Sequence, residues 1–382
     1  LSRGYISERM IIYWENLLKA ILCRSFNRIS NRPVFRAKYL LLFLLVFLES
    51  MLLIAADEKK SIVLEFSLYD FEEAYFEAVD QLLDEHEKIS GNRLVPPSAE
   101  RVALKVNTRA GEGLSTPLNL VRATIQSLES RGYERNSILI IDYSSFNLKN
   151  AGFYEEEKEG TFYFEGCPVL ALSSLKYFEP DWHYDSPIPP LLKDQPFNQS
   201  TDFSISDFTD YLDYQETAIF RKSFLPIPLL FEVDFWINLA VGLDDPILGV
   251  DGALANASLW NVSNHLRFLA NQSTAAVAVA EILGIPELNQ HLKLHFVALE
   301  EFQFIGGPFY NSLYSRVQPK LWMSSDPVAL DRLLVDLINQ ERRENGFDEL
   351  PSPNLQLSYA SKIGLGEDSI DSIVIKNINE EQ

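Results

Sequence analysis

The sequence predicts an α/β fold: a mixed, largely parallel sheet flanked by helices, built as a single domain with a loop-rich insertion. Three observations predict it. Two runs of β-formers, 101–107 and 137–142, enclose a helical stretch over 118–131, the strand–helix–strand order of a parallel βαβ unit. Val233-Asp-Phe-Trp-Ile-Asn238 reads as another strand, followed by a loop rich in Gly, Asp and Pro and a helical pattern from Ala253. Strand-type and helix-type segments then alternate to the C-terminus.

The chain opens on a basic segment, 1–38, then an apolar block, 39–48, and Met51-Leu-Leu-Ile-Ala-Ala56. Basic flank, apolar core and small residues before Asp57 predict a leader over 1–56: a secretory signal cleaved near Ala55 or Ala56. The alternative is an uncleaved anchor, for which the apolar run is short. Export to the periplasm or envelope follows, with membrane contact only through an uncleaved leader. The α/β domain is expected over 57–382. The whole chain carries a net charge of −21, and the leader is basic, so the domain itself is more acidic still. An acidic domain repels phosphate backbones, so nucleic acid is not an expected partner. Of the two cysteines, Cys23 lies in the leader and leaves Cys167 alone, which rules out a cysteine-ligated iron–sulfur cluster. His291 and His295 lie in a loop-then-strand segment, where an i, i+4 spacing does not make a metal pair, so no metal site is expected.

Taken in order, Ser61–Phe66 reads as a strand and Phe71–Ile89 as a helix with an acidic outer face. The strand to Asn107 leads into the loop Thr108-Arg-Ala-Gly-Glu-Gly-Leu-Ser-Thr-Pro117, with Thr116 placed to cap the next helix and Pro117 as its first residue. The loop matches neither G-x-G-x-x-G nor the phosphate-binding G-x-x-x-x-G-K-[ST], so no nucleotide is implied, and the sequence names no cofactor. Residues 153–228 hold a charge run, the chain breakers Pro180, Pro187, Pro189 and Pro190, and many aromatics, and read as an ordered, loop-rich insertion packed on the sheet. After the central stretch come a helix over 273–283, a strand over 292–299, a Gly306-Gly-Pro308 turn and a strand over 320–325. Asp326-Pro-Val-Ala-Leu-Asp331 starts a helix with Asp326 as N-cap. A short helix over 359–366 and a strand over 372–376 finish the chain.

Ligands of α/β sheets gather where strands end and loops enter helices. Lys105, Asn107, Arg109 and Thr116 lie at one such end, Asp142 at a second, and Asn238, Asp244 and Asn256 around a third, with Arg267 on the Asn256 face of the predicted helix. Backbone N–H groups beside Lys105 and Arg109 suit a small anionic group. Lys105, Asp142, Asp244 and Asp331 are the candidate catalytic residues, and Asn107, Arg109, Thr116, Asn238, Asn256 and Arg267 the candidate ligand-binding ones. The structural alternative is that the aspartates cap turns and the Asn/Arg stripe is a solvated helix face.

In order along the chain, Lys105-Val-Asn107, Ser115-Thr-Pro117, Asp142 with Ala151-Gly152, Val233-Asp234 with Ile237-Asn238, and Gly252-Ala-Leu254 with Asn256 resemble the domain-of-unknown-function 362 family. So do Gly306-Gly-Pro308, Asp326–Asp331 and Gly364-Leu-Gly366, and the resemblance runs through most of 100–376. It implies an α/β fold and a site at these motifs, in an exported subtype without ferredoxin-like cysteines. The chain departs from that pattern at charged positions: Leu243 and Ala255 where lysines are usual, Asp245 for histidine, Ala298 for an acid and Tyr143 for arginine. The expected function is an exported protein that binds a small anionic ligand and is catalytically weak or inactive. The alternatives are an active enzyme using Lys105 with Asp142, Asp244 or Asp331, and a structural envelope protein with a vestigial site.

Overall fold

The structure is a computed structural model and describes residues 60–94, 101–186 and 222–379. The expected leader, and the part of the insertion between 187 and 221, lie outside them. The strands are β1 Ser61–Ser67, β2 Val102–Val106, β3 Ile138–Asp142, β4 Glu156–Lys158, β5 Thr161–Phe164, β6 Cys167–Ala171 and β7 Phe178–Asp185. They continue with β8 Lys222–Pro226, β9 Phe235–Asp245, β10 Gly249–Asp251, β11 Leu292–Gln303, β12 Ser315–Arg316, β13 Lys320–Ser324 and β14 Ile373–Asn377. The helices are α1 Ala74–Ser90, α2 Leu118–Ser130, α3 Ser145–Asn150, α4 Ala253–Ala257, α5 Gln272–Leu283, α6 Pro286–Asn289, α7 Pro327–Glu344 and α8 Leu355–Lys362.

Twelve strands form one mixed sheet in the order β14-β1-β13-β11-β9-β2-β3-β6-β5-β4, with β10 beside β9 and β12 beside β11. The central neighbours β11, β9, β2, β3 and β6 are all parallel, and antiparallel β13 and β5 flank them. Alternation along the strands sorts the core into two layers. Leu104, Ile140 and Ile237 pack with α1 and α2, while Ala103, Ile141 and Trp236 pack with α5, α7 and α8. From β2 the chain winds one way, through β3 to β6, then returns to set β9 and β11 on the other side of β2. The order reverses between β2 and β9, and the carboxyl ends of such a pair form the crevice where α/β sheets take ligands.

The α/β architecture agrees with the sequence reading, and four local expectations need correction. The segment 239–245 is not loop but the continuation of β9, an eleven-residue strand buried throughout. Its Gly242 is required by packing, because a Cβ there would stand 2.7 Å from Leu334 Cδ1 on α7. The helix expected from Ala253 stops at Ala257, where Ser258 Oγ turns back to Leu254 O, and two 3₁₀ turns follow. Asn264, at φ +53°, redirects the chain between them, so Asn256, Trp260, Asn264 and Arg267 share no helix face. Thr116 does not cap α2. Pro117 occupies that position, and Thr116 Oγ1 donates instead to Leu239 O (2.6 Å) and accepts from Asn107 N (2.7 Å), tying the glycine loop to β9. The segment 153–228 is also not simply an insertion: β4, β5 and β6 belong to the main sheet, and β7 and β8 form a separate pair.

Candidate functional site

Lys105 and Asn238 are register partners on β2 and β9, Asn238 pairs with His295 on β11, and His295 with Ser324 on β13. A polar row therefore crosses four strands inside a layer that is otherwise apolar. Lys105 is fully buried, and its ammonium makes three bonds: Val106 O at 2.6 Å, Asp142 Oδ1 at 2.8 Å and Asn256 Oδ1 at 2.7 Å. Asp142 Oδ1 also accepts from Tyr143 N, and its Oδ2 from Thr108 N and Thr108 Oγ1. Burial pulls the Lys105 pKa below the ordinary lysine value, and the Asp142 carboxylate beside it opposes that shift.

An ammonium only donates, and that fixes every group after it. Asn256 must turn Oδ1 to Lys105, so its Nδ2 donates to Asn238 Oδ1 (2.7 Å). Asn238 then presents Nδ2 to Ala253 O (2.8 Å) and to His295 Nδ1 (2.9 Å). His295 accepts at Nδ1, so its proton sits on Nε2, and burial lowers its pKa to about 3, which keeps the ring neutral. Asp142, Lys105, Asn256, Asn238 and His295 thus form one directed chain.

A second cluster abuts the first. The Arg109 guanidinium bonds Asp251 Oδ2 at 2.8 Å and Asp245 Oδ2 at 3.2 Å and lies 4.0 Å from the Trp260 ring centroid. Trp260 Nε1 donates to Asp251 Oδ1 (2.8 Å), and Asp245 Oδ1 accepts from Ile247 N and Leu248 N. Burial raises the Asp251 pKa, and Arg109 opposes the rise. The Arg109 side chain keeps 21% of its surface exposed, so this cluster reaches solvent where the Lys105 chain does not. Asn107 serves the turn itself, its Oδ1 accepting from Arg109 N. Tyr310 sits against the glycine loop, where a Cβ on Gly113 would stand 2.1 Å from its ring, and Ala110, Leu114, Val241 and Leu243 form a small apolar cluster with it. Leu243, at a position where the resemblance implies lysine, is part of that apolar cluster.

The structure thus joins Lys105, Asp142, Asn238 and Asn256 directly and sets Arg109, Asn107 and Thr116 around the same strand ends. Three candidates lie elsewhere or act otherwise. Asp331 has a structural role: both its oxygens accept backbone N–H groups, from Ala253 (2.6 Å) and Leu254 (2.9 Å), at the start of the helix that carries Asn256. Its full burial pushes its pKa up to about 7 in spite of those donors. Asp244 is separate from Lys105; it binds Gly307 N (3.0 Å) and Arg342 Nη2 (3.2 Å) and holds the turn after β11 to α7. Arg267 joins Ser223 on β8 at 3.1 Å and lies against Phe268, so it anchors the β7–β8 pair. Thr108, Asp251, Trp260 and His295 belong to the clusters and escaped sequence reasoning, as did His265, whose ring meets Trp260 edge-on. His295 left a signal, a lone polar residue at an inward position of a buried strand. Among the described residues, no three His, Cys, Asp or Glu side chains group as metal ligands.

No family model matches the chain, and no curated protein does. A crystal structure of a protein from Thermotoga maritima is similar over 59% of this chain, with 10% sequence identity and a TM-score of 0.31. The aligned part spans 50% of that protein's own length, and a likeness this distant carries no argument about function.

Proposed function

We propose that the chain is a binding protein built on an enzyme-like α/β scaffold, a relative of the domain-of-unknown-function 362 family that takes a small anionic molecule at the carboxyl ends of β2 and β9 and turns it over weakly or not at all. One observation carries the reading: all three bonds of the buried Lys105 ammonium go to fixed protein acceptors, at the point where the strand order reverses. A lysine so held is not free to act as nucleophile or base, since either role needs a lone pair directed at substrate. Arg109 is the cluster's partly exposed cation, so it receives the ligand's charge. Leu243 and Ala255 leave no second lysine at the positions where the resemblance implies one, and a lost charged donor commonly costs catalysis ~3 kcal/mol of transition-state stabilisation. Export and cleavage near Ala55 or Ala56 belong to the same proposal. Among the described residues no helix is long and apolar enough to cross a membrane.

Native mass spectrometry of the purified full chain tests binding. A small anionic adduct is expected on the native chain and absent from Arg109→Gln. A ligand-free native chain, or an unchanged adduct on the variant, contradicts the proposal.

A further inference from the structure

Trp260 links two residues that the Lys105 chain does not contain. Arg109 lies over its ring, and the His265 ring meets it edge-on, at 5.4 Å between centroids and 83°. The ring of Tyr143, the residue after Asp142, also meets His265 edge-on, at 4.6 Å and 88°. The imidazole is thus in contact with two aromatic rings. His265 Nδ1 lies 3.0 Å from Val262 O. A carbonyl only accepts, so Nδ1 carries the proton and Nε2 presents a lone pair. That Nε2 has no hydrogen-bond partner among the described residues, and the residue is half-buried. Burial lowers the ring's pKa to about 4, with the nearby Arg109 charge acting in the same direction, so the lone pair persists at neutral pH.

The other acceptors of the cluster are already engaged. Asp142 takes bonds from Lys105, Thr108 and Tyr143, Asp245 from Arg109 and its own turn, and Asp251 from Arg109 and Trp260. His265 Nε2 is thus the side-chain acceptor that these bonds leave without a partner, on the Trp260 ring that Arg109 also covers. We propose that His265 is a specificity-determining residue, and that the site selects anions that also carry an O–H donor, such as hydrogen phosphate or a phosphomonoester monoanion, over anions with acceptors alone. This rests on the anion-binding reading above and adds the chemistry that recognises the ligand. A site holding a fixed acceptor rejects an analogue without the matching donor, because that acceptor loses water and gains nothing.

Inorganic phosphate and sulfate are the discriminating probes: they match in shape and charge type, but sulfate has no O–H at neutral pH. Calorimetric titration of the full chain at pH 7 and fixed ionic strength is expected to show phosphate bound at least about tenfold more tightly than sulfate. His265→Phe keeps an aromatic ring against Tyr143 and Trp260 and is expected to bring the ratio within about twofold by weakening phosphate alone. Equal affinities in the native chain, or an unchanged preference in His265→Phe, overturn this inference and leave the anion-binding reading standing. Binding of neither anion overturns that reading and this inference with it. Nitrogen-15 histidine NMR of the native chain gives a check independent of any variant. An unprotonated Nε2 on His265 at pH 7 is expected, and the Nε2-protonated tautomer overturns the proposal.

Discussion

Replacing Lys105 by Met tests whether the polar chain under the switch point is a matched unit. Methionine has nearly the length of lysine, so the change removes charge and donors with little volume. It leaves Asp142 buried, with Thr108 and Tyr143 as partners but no cation, and strips Asn256 Oδ1 of its donor. Breaking a buried ion pair by removing one partner costs ~3–5 kcal/mol, against a total stability of ~5–15 kcal/mol for a typical domain. The variant should therefore lose about a fifth or more of its stability in urea titration followed by circular dichroism. Adding Asp142→Asn removes the stranded charge, so the double variant should be no less stable than Lys105→Met alone. The cycle then gives a coupling of about 3 kcal/mol between the two sites. A loss under about 1 kcal/mol in Lys105→Met, or two losses that simply add, would refute the reasoning.

Asp331→Asn turns an amide NH₂ toward one of the backbone N–H groups of Ala253 or Leu254, and should cost ~1–3 kcal/mol in urea; no loss would show that the acid does not hold α4. Asp326→Ala should cost more than the ~1 kcal/mol of a lost cap, because Asp326 accepts from Ser61 Oγ and Glu367 N as well as Ala329 N; a loss confined to that value would show the other two bonds contribute nothing. Stability should also depend on pH in two opposed ways. His265 and His295 have lowered folded-state pKa values, about 4 and about 3, so their contribution is complete above the ordinary histidine pKa and is lost as pH falls through that range. Asp331, raised to about 7, acts oppositely: its contribution is complete at acid pH and is lost as pH rises through about 7. On raising the pH from 4 to 6.5 the urea midpoint of His295→Gln should gain less, or fall more, than that of the native chain, and a profile parallel to the native one would contradict the assignment. N-terminal sequencing of the protein from a bacterial host should find Asp57 or a neighbour first; intact protein in the membrane fraction would favour the anchor.

The fold was legible because the strands that build the parallel core are short, apolar and separated by well-signalled helices. Arg101–Asn107, Ser137–Asp142 and Lys320–Ser325 each fall within a residue of the observed strand at both ends. β9 was cut short because Gly242, Asp244 and Asp245 have loop chemistry in isolation. They remain strand because β11 extends alongside as far as Leu243, β10 pairs Asp244 and Asp245, and a Cβ at Gly242 would crowd Leu334. The site was half legible for a related reason. Lys105, Asp142, Asn238 and Asn256 stand at strand ends or helix starts, where local pattern places them. The role of Asp331 depends on contact with Ala253 and Leu254, 78 and 77 residues away in sequence, and the fixed tautomer of His265 on a turn at Val262 that periodicity read as helix.

The central claim is that a ligand binds above a Lys105–Asp142 pair that stays closed. A crystal structure of the full chain with its co-purified anion tests this most directly. The account predicts the anion within hydrogen-bonding distance of Arg109 and His265 Nε2, with Lys105 still bonded to Asp142 and Asn256. An anion bound elsewhere, or a Lys105 that has left Asp142 to engage it, would contradict the account, the latter in favour of an active enzyme.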